Sequence, residues 1–414
     1  MMTRYSPLTE ATVASYLASR PELADLVDPG SVEVSEIGDG NLNLVFRARD
    51  ASGRSLILKQ ALPYLRAAGE AWPLTIERAA AEARAYEAAT SVSPSSIPRF
   101  HGYDAENHVL VMEDLAGWTV WRTALDAGEI HAGAEAELGR YLARLLMGTG
   151  VMGLTGPAFA EADAEAVNPA LCRITEDLVF TEPYSEYVDT TGRRAGIPQY
   201  FPEISDLVAE LRDDRELLDG VSRLKYVFMT HHEALIHGDL HTGSVMVRHV
   251  GDAPSGGTPG TGDLRAEARA FDGEFCFYGP IAFDLGALFG NWLLALGRAR
   301  ALGREEQAVW LETLPSSAFT AFRDEFWRLW PGRVDQSFTE GFARDWLRRI
   351  EAEAIGFGGA KAIRRLVGFA RTTDIDTLGP DERGPAAEFV LGTAARWIIG
   401  RDSLRVGEIM AVGR

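Results

Sequence analysis

Basic residues are few in this sequence relative to acidic ones. Of 414 residues, 41 are Lys or Arg and 60 are Asp or Glu, so the formal net charge is −19. Proteins that bind nucleic acids or anionic membranes neutralise phosphates with clustered Lys and Arg side chains. The charge balance therefore predicts no nucleic-acid partner and no membrane partner, although it permits a local basic pocket for one small anion.

The sequence also contains few cysteines and no long apolar run. The two cysteines, Cys172 and Cys276, form no CxxC pair, which excludes a cysteine-based zinc cluster and is typical of a reducing compartment. No apolar run approaches the roughly 18–20 residues of a membrane span, and residues 1–10 carry no apolar signal-peptide stretch. We therefore expect a cytoplasmic protein.

The remaining composition is that of an ordinary globular protein. Hydrophobic residues make up 46% of the chain and charged residues 24%, which excludes bulk disorder and allows a large core. A chain of this length is expected to form two domains or lobes.

The first part of the chain is predicted to form a small sheet with one helix. Apolar and polar residues alternate over residues 32–60, which predicts three strands, with GDGNLN at residues 38–43 as the turn after the first. Residues 75–89 are rich in Ala and Glu and contain neither Gly nor Pro, which predicts a helix. A further strand is predicted at residues 108–113, followed by a short connector.

The rest of the chain is predicted to be mostly helical. Helical patterns include residues 132–149, 204–219 and 221–234. Short strand-like segments interrupt the helices at residues 234–236, 245–249 and 268–274. Residues 251–263 are rich in Gly, Pro, Ser and Thr, which predicts a flexible hairpin loop.

These elements together predict an α+β protein with two lobes. The small N-terminal lobe, residues 1–112, would hold an antiparallel sheet and a helix. Residues 113–117 would form a hinge connector, and residues 118–414 a larger, mostly helical lobe. The residues best suited to chemistry lie where these parts would meet.

The turn at residues 38–43 is the first candidate binding element. Gly38 and Gly40 permit positive φ angles and close backbone approach, so successive N–H groups can point at a phosphate. The amide of Asn43 can donate to a phosphate oxygen. A plain hairpin turn is the simpler interpretation of these residues taken alone.

Lys59 ends an apolar strand, a position where lysine is usually an exposed edge charge. It lies 19 residues after Gly40, two strands downstream of the glycine turn. In protein kinases, the lysine that contacts the α- and β-phosphates of ATP occupies this position relative to the glycine loop. Its ion-pair partner is expected on the following helix, with Glu82 preferred over Glu77, although either could be an exposed helix charge.

The motif HGDLH at residues 237–241 follows an apolar segment. A carboxylate in such a tight turn can accept the hydrogen bond of a substrate hydroxyl and then its proton. Asp239 is therefore the candidate catalytic base. A structural turn with a capping aspartate explains the motif alone equally well.

Asp272 and Glu274 lie in the third strand-like segment. Carboxylates at positions i and i+2 of an extended segment face the same way, and such a pair favours a hard cation between them. Mg²⁺ bound by the pair would bridge nucleotide phosphates. Neighbouring aromatic residues argue against the alternative of a solvated hairpin edge. Asp284 is predicted to cap a helix or brace a loop.

Each motif has a plain structural alternative, but their common order along the chain is informative. The chain contains, in this order, a glycine turn, a strand lysine, a helix glutamate, an aspartate loop and paired acids. ATP-dependent phosphoryl transfer needs these groups in this order and spacing. The order therefore predicts a kinase that uses ATP.

Taken together, these residues resemble the small-molecule branch of the protein-kinase-like fold, with its aminoglycoside phosphotransferases and choline kinases. More narrowly, the sequence is similar to the 5-methylthioribose kinases. The stretches KQALPY at residues 59–64 and HGDLHTGS at residues 237–244 are the most specific, whereas HGD alone is shared by the whole superfamily. The matching stretches cover nearly the whole chain, at residues 38–46, 59–66, 72–75, 111–115, 237–244, 275–285, 363–368 and 374–376.

The resemblance implies a role for each candidate on the nucleotide side. Asn43 and the turn at Gly40 would contact the phosphates, and Lys59 would contact the α- and β-phosphates while paired with Glu82. Adenine would meet the backbone of the connector residues Glu113, Asp114 and Leu115. The ligands of Mg²⁺ would be Asp272 and Glu274.

The resemblance also implies which residues contact the substrate. Asp239 would be the catalytic base, and Arg364 with Arg365 would bind the sugar and neutralise the transferring phosphoryl group. Paired arginines on a helix are otherwise usually exposed, but the apolar neighbours leave room for one guanidinium to point inward. Trp72 would be a lid over the sugar, with a core-anchoring tryptophan as the alternative.

Two departures from the kinase pattern stand out. Ser244 occupies the position where most kinase-like enzymes have a metal-binding Asn, which is itself typical of the methylthioribose kinases. The loop at residues 251–263 is longer than the family needs. A homodimer would agree with the resemblance, although nothing in the sequence indicates one.

The implied activity is ATP-dependent phosphorylation of the anomeric hydroxyl of 5-methylthioribose, which gives the 1-phosphate in methionine salvage. Two alternatives remain at the level of sequence. One is a kinase for another small alcohol, such as choline or an aminoglycoside. The other is a catalytically inactive ATP-binding module.

Overall fold

A computed structural model describes residues 5–37, 42–64, 73–185, 200–250 and 265–410. The three strands predicted over residues 32–60 are confirmed, and two more complete a five-stranded antiparallel sheet of order β1-β2-β3-β5-β4. The sequence prediction missed β4, because FHGYD has no clear apolar alternation. The strands are β1 (Glu33–Glu36), β2 (Asn43–Arg49), β3 (Ser55–Ala61), β4 (Phe100–Asp104) and β5 (Val109–Glu113).

Two helices cover the faces of this sheet, α1 (Glu10–Ala18) and α2 (Arg78–Val92). Leu56 and Leu58 of β3 pack in the apolar cluster that contains residues of α1, whereas Ile57 and Ala61 pack with residues of α2. Side chains alternate along a strand, so Lys59 shares the α2 face with Ile57 and Ala61. The strand thus directs a lysine toward the helix that was predicted to carry its partner.

Helices dominate the remainder of the chain, as predicted. The break predicted near residue 220 is wrong, because α7 ends at Asp213 and Asp214 caps α8 by accepting a hydrogen bond from Leu217 N at 3.1 Å. The helices are α3 (Trp121–Ala127), α4 (Ala134–Thr149), α5 (Gly156–Glu165), α6 (Pro169–Phe180), α7 (Ser205–Asp213), α8 (Arg215–Thr230), α9 (Ile281–Ala301), α10 (Glu305–Leu329), α11 (Glu340–Leu366), α12 (Thr373–Asp376) and α13 (Pro380–Gly400).

Short strands interrupt the helical region and frame the predicted catalytic loop. Strand β8 pairs antiparallel with β9 and with β6, and β7 pairs antiparallel with β10. The predicted loop at residues 251–263 lies outside the described residues. The strands are β6 (Thr119–Val120), β7 (Ala234–Ile236), β8 (Val245–Val250), β9 (Arg265–Ala270) and β10 (Phe277–Gly279).

The extended conformation predicted for Asp272 and Glu274 is wrong. Strand β9 ends at Ala270, and Asp272 adopts a left-handed backbone conformation with φ of 69°. Few non-glycine residues adopt this conformation, and it turns the chain out of the strand. Strand alternation therefore does not explain how the two carboxylates come together.

The core of the helical region lies around α9, which is buried on nearly all sides. It crosses α11 at very short range, since a Cβ atom on Gly290 would lie 2.4 Å from the carbonyl oxygen of Gly358. Such backbone-to-backbone packing fixes the position of the second half of α11, which faces the catalytic loop. Within the described residues, no helix combines the length and apolarity that crossing a membrane requires.

Candidate active site

A cavity of about 430 Å³ lies between the five-stranded sheet and the β8–β9 hairpin. Its walls are largely apolar at the connector end and charged at the opposite end. The apolar lining includes Ile37, Val45, Ile57, Met112, Leu115, Val120, Met246 and Phe271, and the charged end includes Lys59, Glu82 and Asp272. An apolar region beside a charged end is suited to a nucleotide base and its phosphates.

Lys59 is paired with Glu82, as predicted, at 2.6 Å between Nζ and Oε2. The same ammonium group also contacts the carboxylate of Asp272. Burial lowers the pKa of Lys59, but Asp272 and Glu82 outweigh this effect and hold the pKa well above its usual range. Lys59 is therefore a fixed positive charge at the charged end of the cavity.

The connector residues line the other end of this cavity. The carboxylate of Glu113 accepts hydrogen bonds from Arg269 Nη1 at 2.7 Å and from the backbone N–H of Arg99 at 2.9 Å. The carboxylate of Asp114 accepts from Arg47 Nε at 2.8 Å. Both carboxylates are therefore already engaged within the protein, and the contact of adenine with the connector backbone stays a prediction.

Three carboxylates converge at the charged end of the cavity. One oxygen each from Glu82, Asp272 and Glu274 lie within 4.8 Å of one another, although these residues come from α2 and from the segment after β9. Glu274 Oε2 accepts hydrogen bonds from the amide of Asn43 at 2.9 Å and from Nε of Arg78 at 3.2 Å. Asn43, predicted to contact phosphates, thus lies directly against a predicted metal ligand.

This donor set fits a hard divalent cation. All three candidate ligands are carboxylates, which Mg²⁺ prefers, and Lys59 and Arg78 together neutralise only two of the three negative charges. Oε1 of Glu82 is buried and has no hydrogen-bond partner among the described residues. Burial and Asp272 both raise the pKa of Glu274. An added cation would offset this excess of negative charge.

The predicted catalytic loop leaves β7 and is held rigidly by its backbone. Asp284, in the first turn of α9, accepts hydrogen bonds from the N–H groups of His237 at 2.7 Å and Gly238 at 3.0 Å, which confirms its predicted bracing role. Gly238 has φ of 82°, and a Cβ atom there would lie 2.2 Å from the carbonyl oxygen of Phe275. The next residue, Asp239, is therefore presented from a tightly fixed turn.

Asp239 lies among basic side chains, and the cations Lys361 and Arg364 contact it. Its Oδ1 contacts Nζ of Lys361 and lies 3.5 Å from Nη2 of Arg364, and its Oδ2 lies 3.4 Å from Nε2 of His241. Burial raises the pKa of Asp239, but Lys361, His241, Arg364 and Arg365 outweigh this effect and hold the pKa well below its usual range. Asp239 is thus an ionised carboxylate that can accept a hydrogen bond.

A second cavity, of about 550 Å³, opens in front of Asp239. Arg364 and Arg365 both line it and are only 6% and 7% exposed, whereas the sequence left room for only one inward guanidinium. The difference arises because the end of α11 is buried on all sides. One wall is apolar and is formed by Leu171, Ile174, Leu178, Val179, Phe275 and Phe369.

Some predicted residues cannot be placed, and others were missed. Gly40 and Trp72 lie outside the described residues. Ser244 ends a helical turn after the loop, with its hydroxyl 3.3 Å from Nδ1 of His241. The prediction missed Arg78 and Lys361, which contact Glu274 and Asp239.

A sequence signal for Lys361 existed. Positions 361, 364 and 365 are spaced i, i+3 and i+4, which places them on one face of a helix. The lysine also interrupts a segment of small and apolar residues. The arginine pair could therefore have been extended to a triad of cations.

Comparisons with known proteins agree with this geometry. Residues 33–330 match the phosphotransferase enzyme family. A methylthioribose kinase of Yersinia enterocolitica is 37% identical over 398 residues, which cover 94% of this chain and 92% of that one. The chain belongs to the methylthioribose kinase family. A methylthioribose kinase of Bacillus cereus is 38% identical over 384 residues, covering 92% of this chain and 89% of that one.

Among solved structures, an ethanolamine kinase of Plasmodium vivax matches with a TM-score of 0.47 and 13% identity, covering 95% of this chain and 92% of that one. Membership in the methylthioribose kinase family confirms the resemblance drawn from the motifs. It also confirms the predictions of a kinase and of a bilobal α+β fold with an antiparallel N-terminal sheet and a mostly helical remainder.

Proposed function

We propose that this kinase transfers the γ-phosphoryl group of ATP to the anomeric hydroxyl of 5-methylthioribose, which gives the 1-phosphate in methionine salvage. The observation that carries the proposal is the junction of the two cavities. Leu42 lines both of them, and the contacts of Glu274 with Asn43 and Arg78 lie at their boundary. A nucleotide in one cavity would therefore direct its terminal phosphate toward Asp239 in the other.

On the nucleotide side, adenine occupies the apolar end and meets the connector backbone. The phosphates extend toward Lys59, which is held in place by Glu82. Mg²⁺, held by Asp272 and Glu274, would supply neutralisation of phosphate charge. Asn43 and Arg78 orient the carboxylate of Glu274 on this side. The turn at Gly40 is assigned to the phosphates by the family pattern alone.

On the acceptor side, the ionised carboxylate of Asp239 accepts the hydrogen bond of the attacking hydroxyl. Because surrounding cations hold its pKa low, Asp239 is a weak base in the resting site. Phosphoryl transfer passes through a loose transition state in which the hydroxyl proton need move only late. Asp239 therefore orients the hydroxyl first and receives its proton as the new bond to phosphorus forms.

The lining of the second cavity favours a neutral sugar over a cationic alcohol. Six cationic side chains line it, against the two carboxylates of Asp239 and Glu274. Choline or an aminoglycoside would be repelled, whereas sugar hydroxyls can accept hydrogen bonds from Arg364 and Arg365. The apolar wall offers a complementary surface for a methylthio group. The lid role of Trp72 rests on the family pattern alone.

An ADP-release assay over a panel of alcohols tests this function. Purified protein with ATP and Mg²⁺ is expected to turn over 5-methylthioribose well above ribose, choline and an aminoglycoside. Faster turnover of choline or the aminoglycoside would overturn the proposed substrate. Mg²⁺-dependent ATP binding with no transfer to any alcohol would instead favour an inactive nucleotide-binding module.

The division into lobes at residues 1–112, 113–117 and 118–414 forms part of the same proposal. The connector follows β5 directly, and its residues lie between the sheet and the helical region. A hinge there would let the two cavities open and close around the substrates. Limited proteolysis with and without ATP is expected to show protection that depends on the nucleotide.

A further inference from the structure

Lysine is very rare in this chain, and its positions are informative. Only three of the 41 basic residues are lysines, namely Lys59, Lys225 and Lys361. Lys59 contacts carboxylates at the nucleotide cavity, and Lys361 contacts Asp239. In a chain that otherwise uses arginine for positive charge, two of the three lysines thus lie against residues proposed to act in phosphoryl transfer.

The environment of Lys361 is an unusual one for a charged group. Its side chain is 2% exposed, and its ammonium group lies 4.9 Å from the centre of the Phe283 ring. Asp239 is its only hydrogen-bonding carboxylate among the residues that the structure describes. Burying an ammonium group is costly unless it is paired, so the contact with Asp239 is a requirement of the fold at this point.

The helix that carries Lys361 is rigidly placed. A Cβ atom on Gly290 of α9 would lie 3.1 Å from the backbone nitrogen of Ala362, directly after Lys361. The two helices therefore pack so closely here that a side chain at position 290 would clash with the backbone of α11. Such a rigid support is what a residue needs if it is to orient another side chain.

We propose that Lys361 is a positioning residue for the transfer reaction, which holds Asp239 ionised and fixes the orientation of its carboxylate toward the acceptor hydroxyl. This inference rests on the proposed function of Asp239. Lys361 acts through Asp239 and is not assigned a contact with the sugar. A compact ammonium group fits between Phe283 and Asp239, where the larger planar group of arginine would need more space.

The proposal predicts a pH dependence. Burial lowers the pKa of Lys361 to about 8, with Asp239 opposing that shift and Arg364 adding to it. Lysine is charged below its pKa, so the pair with Asp239 is intact below pH 8 and is lost as the pH rises through that value. The charged and titratable groups around it are Asp239 and His241 from the catalytic loop, Asp284 from α9, and Arg364 and Arg365 from α11.

The test compares wild type with K361M and K361R over pH 6 to 10, using kcat/KM for the sugar. The alkaline limb of this profile reports groups in the enzyme before the sugar binds. Wild type is expected to lose activity as the pH rises through about 8. K361M is expected to lack this limb and to fall on the order of 10²-fold at pH 7, mostly in kcat. K361R is expected to recover part of the loss and to move the limb upward, because arginine stays charged.

Two controls separate positioning from a structural role. K225M removes the lysine of α8 that donates to Thr181 Oγ1 at 3.1 Å, and it is expected to leave the kinetics unchanged. In a double-mutant cycle, adding K361M to D239N is expected to cause no further loss, since Lys361 acts through Asp239. If K361M does not fold, the profiles of wild type and K361R decide the question.

The inference is overturned by any of three results. K361M could keep activity within threefold of wild type, its alkaline limb could stay near pH 8, or its loss of activity could add fully to that of D239N.

Failure of this inference can be distinguished from failure of the proposed function. Absence of wild-type turnover with 5-methylthioribose would refute the substrate, and the Lys361 comparison would then run with whichever alcohol is turned over. Absence of transfer to any alcohol would refute both.

Discussion

The surroundings of the two buried lysines, Lys59 and Lys361, are opposite in charge. Around Lys59, the three carboxylates of Glu82, Asp272 and Glu274 outnumber the cations. Around Lys361, the guanidinium groups of Arg364 and Arg365 join the ammonium group against the two carboxylates of Asp239 and Asp284. One region therefore has an excess of negative charge and the other an excess of positive charge.

This difference in charge indicates that the two regions have different roles in the reaction. A cation would complete the acidic region, in agreement with the proposed Mg²⁺ site. An anion would complete the basic region, in agreement with the proposed transfer of a phosphoryl group beside Asp239. Charges held in place before the reaction need no rearrangement in the transition state, and this is usually the largest contribution to catalysis.

The largest effect is expected from Asp239→Asn, which removes the carboxylate that we propose to face the acceptor hydroxyl. Turnover should fall by about 10²–10⁴-fold, because the amide keeps the shape but loses charge and basicity. ATP affinity, measured by calorimetry, should be retained. The matched control D219N alters an exposed aspartate of α8 and should keep wild-type kinetics. A D239N variant with a third of wild-type turnover would show that Asp239 is structural.

The next largest effect is expected from Arg364→Lys, which keeps the positive charge of the basic region but replaces the planar guanidinium. The value of kcat should fall and sugar binding should weaken, because the ammonium group of lysine cannot form the same pair of hydrogen bonds as a planar guanidinium. Arginine fingers contribute about 10³–10⁵-fold in GTPases, and this is an upper bound here. ATP affinity without sugar should hardly change.

The control for this prediction is R344K, at an exposed position of the same helix where Arg344 pairs with Glu340 at 3.2 Å. The change is chemically identical, but the site is remote from both cavities. Steady-state kinetics on both variants separates a local role from a general effect on α11. Equal kcat and KM for R364K and R344K would remove Arg364 from the sugar site.

A smaller effect is expected from Glu274→Gln, which reduces the negative excess of the acidic region. The Mg²⁺ concentration for half-maximal activity should rise by about 10-fold or more, because one candidate ligand loses its charge. The effect should be strongest at low Mg²⁺ and partly recovered at high Mg²⁺. E267Q alters a partly exposed glutamate of β9 that pairs with Arg248, and it should leave the Mg²⁺ titration unchanged. An unchanged titration in E274Q itself would argue against the metal role.

Local patterns predicted the elements on which both regions are built. The alternation at residues 44–60 and the alanine-rich pattern of α2 are local properties, so β2, β3 and α2 could be predicted, and with them the pair of Lys59 and Glu82. The conformation of Asp272 could not, because its left-handed backbone depends on how the chain turns toward α2 after β9.

Contacts between distant parts of the chain could not be predicted from local sequence patterns. Lys361 lies 122 residues from Asp239 in the sequence, and Arg78 lies 196 residues from Glu274. The spacing of residues 361, 364 and 365 places three cations on one face of α11, but the local pattern does not show that this face lies against Asp239. The charge contrast between the two regions therefore emerges only from the packing of α2 and α11 against the two loops.

The smallest effect is expected from deleting most of residues 253–262, which the charge contrast does not involve. These residues lie outside those that the structure describes, so this expectation rests on their composition and on the strands that flank them. The β8–β9 ladder continues to the pair Val250 and Arg265, which would still be joined by a short turn. Shortening a loop changes its closure entropy little, since each halving of length alters it by about 0.6 kcal/mol. Turnover and melting temperature should both stay close to wild type, and a loss of ATP affinity in the deletion variant would show that this segment contributes to the acidic region after all.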